Sequence, residues 1–172
     1  MSLVKHMSVA AVVLGIAGIS ATASARRFYT AVGAGCVPVD EDTQVDNYDS
    51  RGFGVGFKGV ATGDIRLICP ISLSTSFVFR RFVMSFKDSD GMNTQARIRA
   101  TLRQVADGSN ASSAICTTDS NTSNTTGNNT LTCDFADFAA PDNVSFFFEV
   151  LIERTSTAQD PEFLALGLFD TN

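Results

Sequence analysis

The chain has 172 residues, a formal net charge of −5, one histidine and no tryptophan. That balance lacks the basic footprint nucleic acid demands. The single imidazole belongs to His6, so the body of the chain has none for a Ser-His-Asp triad, a Cys-His pair or a His-ligated metal.

The first 25 residues read as an export signal. Lys5 and His6 precede an apolar run from about Val9 to Ile19, and Ala23-Ser24-Ala25 closes it with an A-x-A cleavage pattern. The run is shorter than the ~20 apolar residues of a membrane span. Cleavage after Ala25 leaves residues 26–172 as a single domain, located in the periplasm or outside the cell and not integral to a membrane. Four cysteines follow: Cys36, Cys69, Cys116 and Cys133. An even number in an exported chain predicts two disulfides. Of the three pairings, Cys36–Cys69 and Cys116–Cys133 are favoured, because each pair flanks its own segment. A zinc site would want close C-x-x-C spacing, which is absent.

Short runs of Phe, Val, Thr and Ile, broken by Gly, Asp, Asn and Ser, predict strand after strand. Strands are expected near 27–34, 50–58, 63–69, 76–86, 95–105, 112–117, 130–135, 144–154 and 163–169. The fold class is therefore all-β: an antiparallel, jelly-roll-like sandwich of eight or nine strands. The acidic stretch VDEDTQVDNYD, from Val39 to Asp49, leads into SRGFGVGFKG. There Phe53, Val55 and Phe57 alternate with glycines, and the glycine face suits close packing by a neighbouring segment. Ser76 to Val105 reads as one hairpin turned at KDSDGMN, with Asp90-Gly91 supplying the turn. On its return strand Ile98, Ala100 and Leu102 share one face while Arg97, Arg99, Thr101 and Arg103 share the other. In VSFFFEVLIER, Phe146, Phe148, Val150 and Ile152 face the core. Phe147, Glu149, Leu151 and Glu153 form a mixed second face. FLALGLF is apolar on both faces, as a central strand requires.

Three groups of residues are candidates for function. The polar segment between Cys116 and Cys133 reads as a loop clipped at the neck of a hairpin, worth ~3 kcal/mol in the chain-entropy model. Thr117, Asp119, Asn121, Asn124 and Asn128 are its candidate ligand contacts, since sandwiches carry function on end loops. Arg81, Arg97, Arg99 and Arg103, with Arg80 and Lys87 nearby, form a candidate basic strip for an anionic glycan or phosphate. The alternative is a solvated face balanced by the acidic 40–49 segment. Asp88, Asp90 and Asn93 resemble the front of a calcium loop, D-x-D-G, without the Glu that would close it. No cofactor is expected; the rival to ordinary turn and loop carboxylates is Ca²⁺, either here or on the carboxylates of the 39–49 stretch.

GAGCVPVDED, RLICPIS, FVFRRFVMSFKDSDG and the closing FFFEVLIER with FLALGLF resemble a group of small bacterial exported β-sandwich proteins without an assigned reaction. They share a Cys-x-Pro near the mature N-terminus and a "CPI" strand end. The resemblance implies a β-sandwich outside the cytoplasm and no catalytic residues. It does not extend to Cys116 and Cys133. The expected function is a secreted, non-enzymatic binding or surface module with an extracellular polysaccharide as partner. One alternative is an envelope or matrix protein that self-assembles through strand edges. Another is a His-independent carbohydrate-active enzyme using two of Asp134, Asp137, Glu149 and Glu153.

Overall fold

The computed structural model describes residues 27–40, 46–72, 78–139 and 141–170. The stretch read as an export signal and residues 41–45 of the acidic stretch lie outside them. Eleven strands form among the described residues: β1 (Arg27–Val32), β2 (Val37–Pro38), β3 (Tyr48–Arg51), β4 (Gly54–Phe57), β5 (Gly63–Ile71), β6 (Val78–Asp88), β7 (Ala96–Ala106), β8 (Ser112–Asp119), β9 (Gly127–Ala139), β10 (Val144–Arg154) and β11 (Glu162–Phe169).

The strands build two antiparallel sheets. The first runs β3-β4-β11-β6-β9, with β1 also paired to β11, and the second runs β2-β5-β10-β7-β8. The pairs are nested. β7 pairs with β8, β6 with β9, β5 with β10 and β4 with β11. This is the winding of a jelly roll, a long hairpin folded over on itself. The expected sandwich is therefore what forms, with two more strands than the nine expected. One is the short β2. The other arises because the run 50–58 is not one strand but the β3–β4 hairpin, turned at Gly52 with φ of +66°. Only glycine takes that conformation cheaply.

The segment Ser76 to Val105 is a second correction. β6 and β7 do not pair; they lie in opposite sheets, and residues 89–95 are an arch that carries the chain from one layer to the other. Seven residues exceed the two to five of ordinary hairpin loops. Each strand has one apolar face, and stacked layers let those faces cover the same core. β6 contributes Phe79, Phe82, Met84 and Phe86, all fully buried; β7 contributes Ile98, Ala100 and Leu102.

Rings bridge the layers. Phe82 of the first sheet meets Phe148 of the second edge-on at 5.1 Å, and Phe79 meets Phe146 at 5.7 Å. Such side chains each contribute about 1.5–3 kcal/mol through burial. β11 is central, between β6 on one side and β4 and β1 on the other, as its two apolar faces require.

Both expected disulfides are present, Cys36–Cys69 and Cys116–Cys133. Their roles differ from expectation in one case. Cys36 directly precedes β2, whose Val37 pairs with Ile68 of β5, so the first bond is a cross-strand link at one edge of the second sheet. Cys116 lies on β8 and Cys133 on β9, the edge strands of opposite sheets. The second bond is thus a staple between layers and not the neck of a hairpin. Nor is the segment between them a long loop: β8 continues to Asp119, a 3-10 turn covers Ser120–Thr122, and β9 begins at Gly127.

Candidate functional site

The outer face of the second sheet concentrates the polar chemistry. Strand alternation forces this. Once Phe146, Phe148, Val150 and Ile152 are buried, Phe147, Glu149, Leu151 and Glu153 of β10 must point outward. Register then sets their neighbours. Glu149 stands between Ile68 of β5 and Thr101 of β7, and Leu151 between Arg66 and Arg99. Phe147 stands between Pro70 and Arg103, and Glu153 between Asp64 and Arg97. β8 adds Thr117 beside Thr101 and Asp119 beside Arg99.

These side chains hold one another. The Arg103 Nε donates to Glu149 at 2.5 Å, and Arg66 approaches the other oxygen of that carboxylate at 3.8 Å. Arg97 grips Asp119 through Nε, at 2.9 and 3.1 Å, and through Nη2, while its Nη1 donates to Glu153 at 3.3 Å. Arg99 also donates to Asp119 at 3.3 Å. Thr101 and Thr117 share a hydroxyl contact of 3.1 Å. Burial pulls the Asp119 carboxyl upward. The Arg97 hydrogen bonds, the Asn121 N–H and the charges of Arg97 and Arg99 outweigh it and hold Asp119 below the usual carboxylate range. In the middle of the face lies an open recess of about 260 Å³ lined by Arg66, Arg99, Thr101, Arg103, Glu149 and Leu151.

The sequence candidates separate accordingly. Arg97, Arg99 and Arg103 share this face, but Arg81 is on β6, on the opposite side of the molecule, bonded to Asp134 at 2.5 Å. The basic strip is therefore split, because β6 and β7 belong to different layers. Among the described residues Arg97, Arg99 and Arg103 are partnered by carboxylates of adjacent strands, Asp119, Glu149 and Glu153; residues 41–45 of the acidic segment expected to balance them lie outside the described residues. Of the five loop candidates, Thr117 and Asp119 join the second sheet's outer face. Asn121 uses its N–H on Asp119 at 3.2 Å. Asn124 is exposed in the link to β9, and Asn128 is on β9 of the other sheet, opposite Lys87. Arg66, Thr101 and Leu151 are lining residues that sequence reasoning did not single out. The period-2 polarity of β5 and β7 was the available signal.

The four carboxylates considered for catalysis are divided in the same way. Asp134 and Asp137 are on β9, held by Arg81 and by Arg80 at 3.0 Å. Glu149 and Glu153 are on β10, four residues and therefore about 13 Å of strand apart, beyond the about 5–9.5 Å of glycosidase pairs.

At the end of the sandwich, Asp88 is the last residue of β6 and Asp90 lies in the arch that follows, Asp88 with no exposed surface and Asp90 with 9%. The Asp90 Oδ2 accepts from Gln95 N at 2.9 Å and Ala96 N at 3.0 Å, which starts β7. Asn93 does not join them: its side chain donates to the Asp90 carbonyl at 2.8 Å and closes the turn. Burial, chiefly, raises the Asp88 carboxyl above the usual range, and the facing Asp90 adds to it.

No family model matches the chain, and no curated protein does. Among solved structures it is similar to a family two carbohydrate esterase from Cellvibrio japonicus, at 12% identity and a TM-score of 0.43, covering 86% of this chain and 35% of that one. It is similar to TmCBM61, solved in complex with β-1,4-galactotriose, at 14% identity and a TM-score of 0.41, covering 86% and 89%. A xylan-binding module, CBM15, gives 16% identity and a TM-score of 0.41 over 71% and 80%. The chain spans about a third of the length of the esterase.

Proposed function

We propose that this protein is an exported, non-catalytic module that binds an extracellular polysaccharide on the outer face of its second sheet. The observation that carries this reading is the recess over Glu149. A sugar hydroxyl both donates and accepts, and the recess offers guanidinium donors alternating with a carboxylate and a hydroxyl. All of them sit on strands and are already oriented, the charged groups by ion pairs and Thr101 by its contact with Thr117, so little side-chain entropy is lost on binding. Leu151 supplies an apolar floor. The recess is smaller than the about 300–1,000 Å³ of pockets for drug-sized ligands, which suits one residue of a longer chain lying across the sheet. Guanidinium groups also take a sugar carboxylate in bidentate fashion, so uronate-containing chains are tested beside neutral ones. The two disulfides fit maturation in an oxidising compartment. No helix among the described residues is long and apolar enough to cross a membrane.

The test is calorimetric titration with neutral and uronate-containing oligosaccharides. Arg103→Ala and Arg99→Ala are each expected to weaken binding about ten- to a hundred-fold, the worth of one charge-assisted hydrogen bond. Asn124→Ala and Asn128→Ala should leave it unchanged. No release of reducing sugar is expected. Binding that survives both arginine changes but fails with Asn124→Ala would return the site to the end loop.

A further inference from the structure

The arch between β6 and β7 holds a feature that glycan binding does not use. Asp88 and Asp90 each give one carboxylate oxygen to the main chain: Asp88 Oδ1 accepts from Asp90 N at 3.1 Å, and Asp90 Oδ2 accepts from Gln95 N and Ala96 N. Their other oxygens, Asp88 Oδ2 and Asp90 Oδ1, are buried and have no hydrogen-bond donor. The two carboxyl groups adjoin each other, acceptor beside acceptor. Among the described residues no lysine or arginine answers them. The neighbouring Lys87 turns outward to Asp160 at 3.2 Å. Buried oxygens without partners cost free energy, and native structures show few. Two such oxygens on adjoining carboxyl groups point to a positive species beside them.

The surroundings are oxygen-rich. The fully buried Ser120 hydroxyl, in the 3-10 turn after β8, lies beside the Asp88 carboxylate and is held in place by the Ile98 N–H at 2.9 Å. The Asn121 side-chain oxygen is 3.5 Å from that hydroxyl. The Asn124 carbonyl passes close to Gly91, 3.7 Å from where a Cβ would stand. We propose that Asp88 and Asp90, with Ser120, form a site for a hard divalent cation of the Ca²⁺ class, completed by neutral oxygens of the β8–β9 link and by water. Sulfur and imidazole are absent, which disfavours zinc. Two carboxylates with neutral oxygens on irregular backbone suit Ca²⁺, which accepts six to eight ligands in flexible geometry, over Mg²⁺, which demands an octahedron. The cation ties the β6–β7 arch to the β8–β9 link, one residue from Asp119.

The experiment uses the oxidised, full-length mature protein stripped with chelator, titrated with CaCl₂ by calorimetry at pH 7 and melted with and without the ion. One Ca²⁺ per chain is expected, with a rise in Tm of about 5–10 °C at a hundred-fold excess over Kd. Asp88→Asn should abolish the heat and the shift. Should Asp88→Asn not fold, Ser120→Ala, which keeps both carboxylates, is expected to lower Ca²⁺ affinity at least about ten-fold. No heat and no shift in the wild type overturns the proposal. So does a Ca²⁺ response in Asp88→Asn or Ser120→Ala equal to the wild type's, and a Mg²⁺ response equal to that of Ca²⁺ overturns the choice of ion.

Discussion

At the scale of single residues, Asp119 is the most informative side chain of the candidate site. It anchors Arg97 and Arg99 from β8 and accepts the Asn121 N–H that starts the following 3-10 turn. Its depressed titration makes it a source of pH-dependent stability. The contribution is complete above the unfolded carboxylate value of about 3.9 and is lost as pH falls through the lower folded value. Asp119→Asn is expected to destabilise the protein by about 1–2 kcal/mol at neutral pH. Denaturant melts from pH 7 to pH 2 should show that difference shrinking toward zero at the acid end. A constant difference across the range would mean that packing, not charge, is lost. Two glycines allow a contrast in backbone crowding. A Cβ on Gly33 would stand 2.6 Å from the carbonyl oxygen of Phe163, and one on Gly54 would stand 2.2 Å from the Glu162 carboxylate. The first obstacle is backbone in a central strand; the second is the end of a flexible side chain. Gly33→Ala should therefore cost about 1–3 kcal/mol and Gly54→Ala less, as thermal melts of the two variants would show.

At the scale of elements, alternation was legible and partnership was not. The inner and outer faces of β7 and β10 follow from period 2 alone, and they are as the sequence implies. The same alternation is satisfied whether β6 and β7 pair or stack in separate layers, so the arch read as a hairpin. The split of Arg81 from Arg97 followed from that one error. The cysteine pairing was legible from spacing, while its mechanical role was not, because spacing does not say to which sheet each cysteine belongs. Joining β8 to β9, the Cys116–Cys133 bond closes a side of the sandwich where no backbone hydrogen bonds run between the layers. Replacing both residues by alanine is expected to cost about 3 kcal/mol by chain entropy. Amide exchange should quicken in β8 and β9 before β10 and β11. A uniform increase would mean that the staple acts on the unfolded chain alone.

At the scale of the molecule, the two disulfides sit at opposite edges of the same sheet, Cys36–Cys69 at β2–β5 and Cys116–Cys133 at β8–β9. The sheet that carries the recess is therefore held at both margins, and the first sheet is bound to it by the Cys116–Cys133 bond at one margin and across the core by rings such as Phe79 and Phe82. Access to reductant differs between the two bonds. Cys69 is fully buried and Cys36 is 7% exposed, whereas Cys116 is half-buried on an edge strand. Thiol–disulfide exchange needs a sulfur within reach of the attacking thiolate. Under native conditions, graded dithiothreitol followed by alkylation and mass spectrometry should thus label Cys116 and Cys133 first, giving an intermediate with one bond left. That intermediate should keep its core, because Phe82, Phe86 and Phe148 pack without help from the staple. The glycan affinity proposed for the recess should fall, because β8 positions Asp119 and through it Arg97 and Arg99. Simultaneous labelling of all four cysteines would mean that neither edge opens without the whole roll, and that global unfolding alone controls access to both bonds.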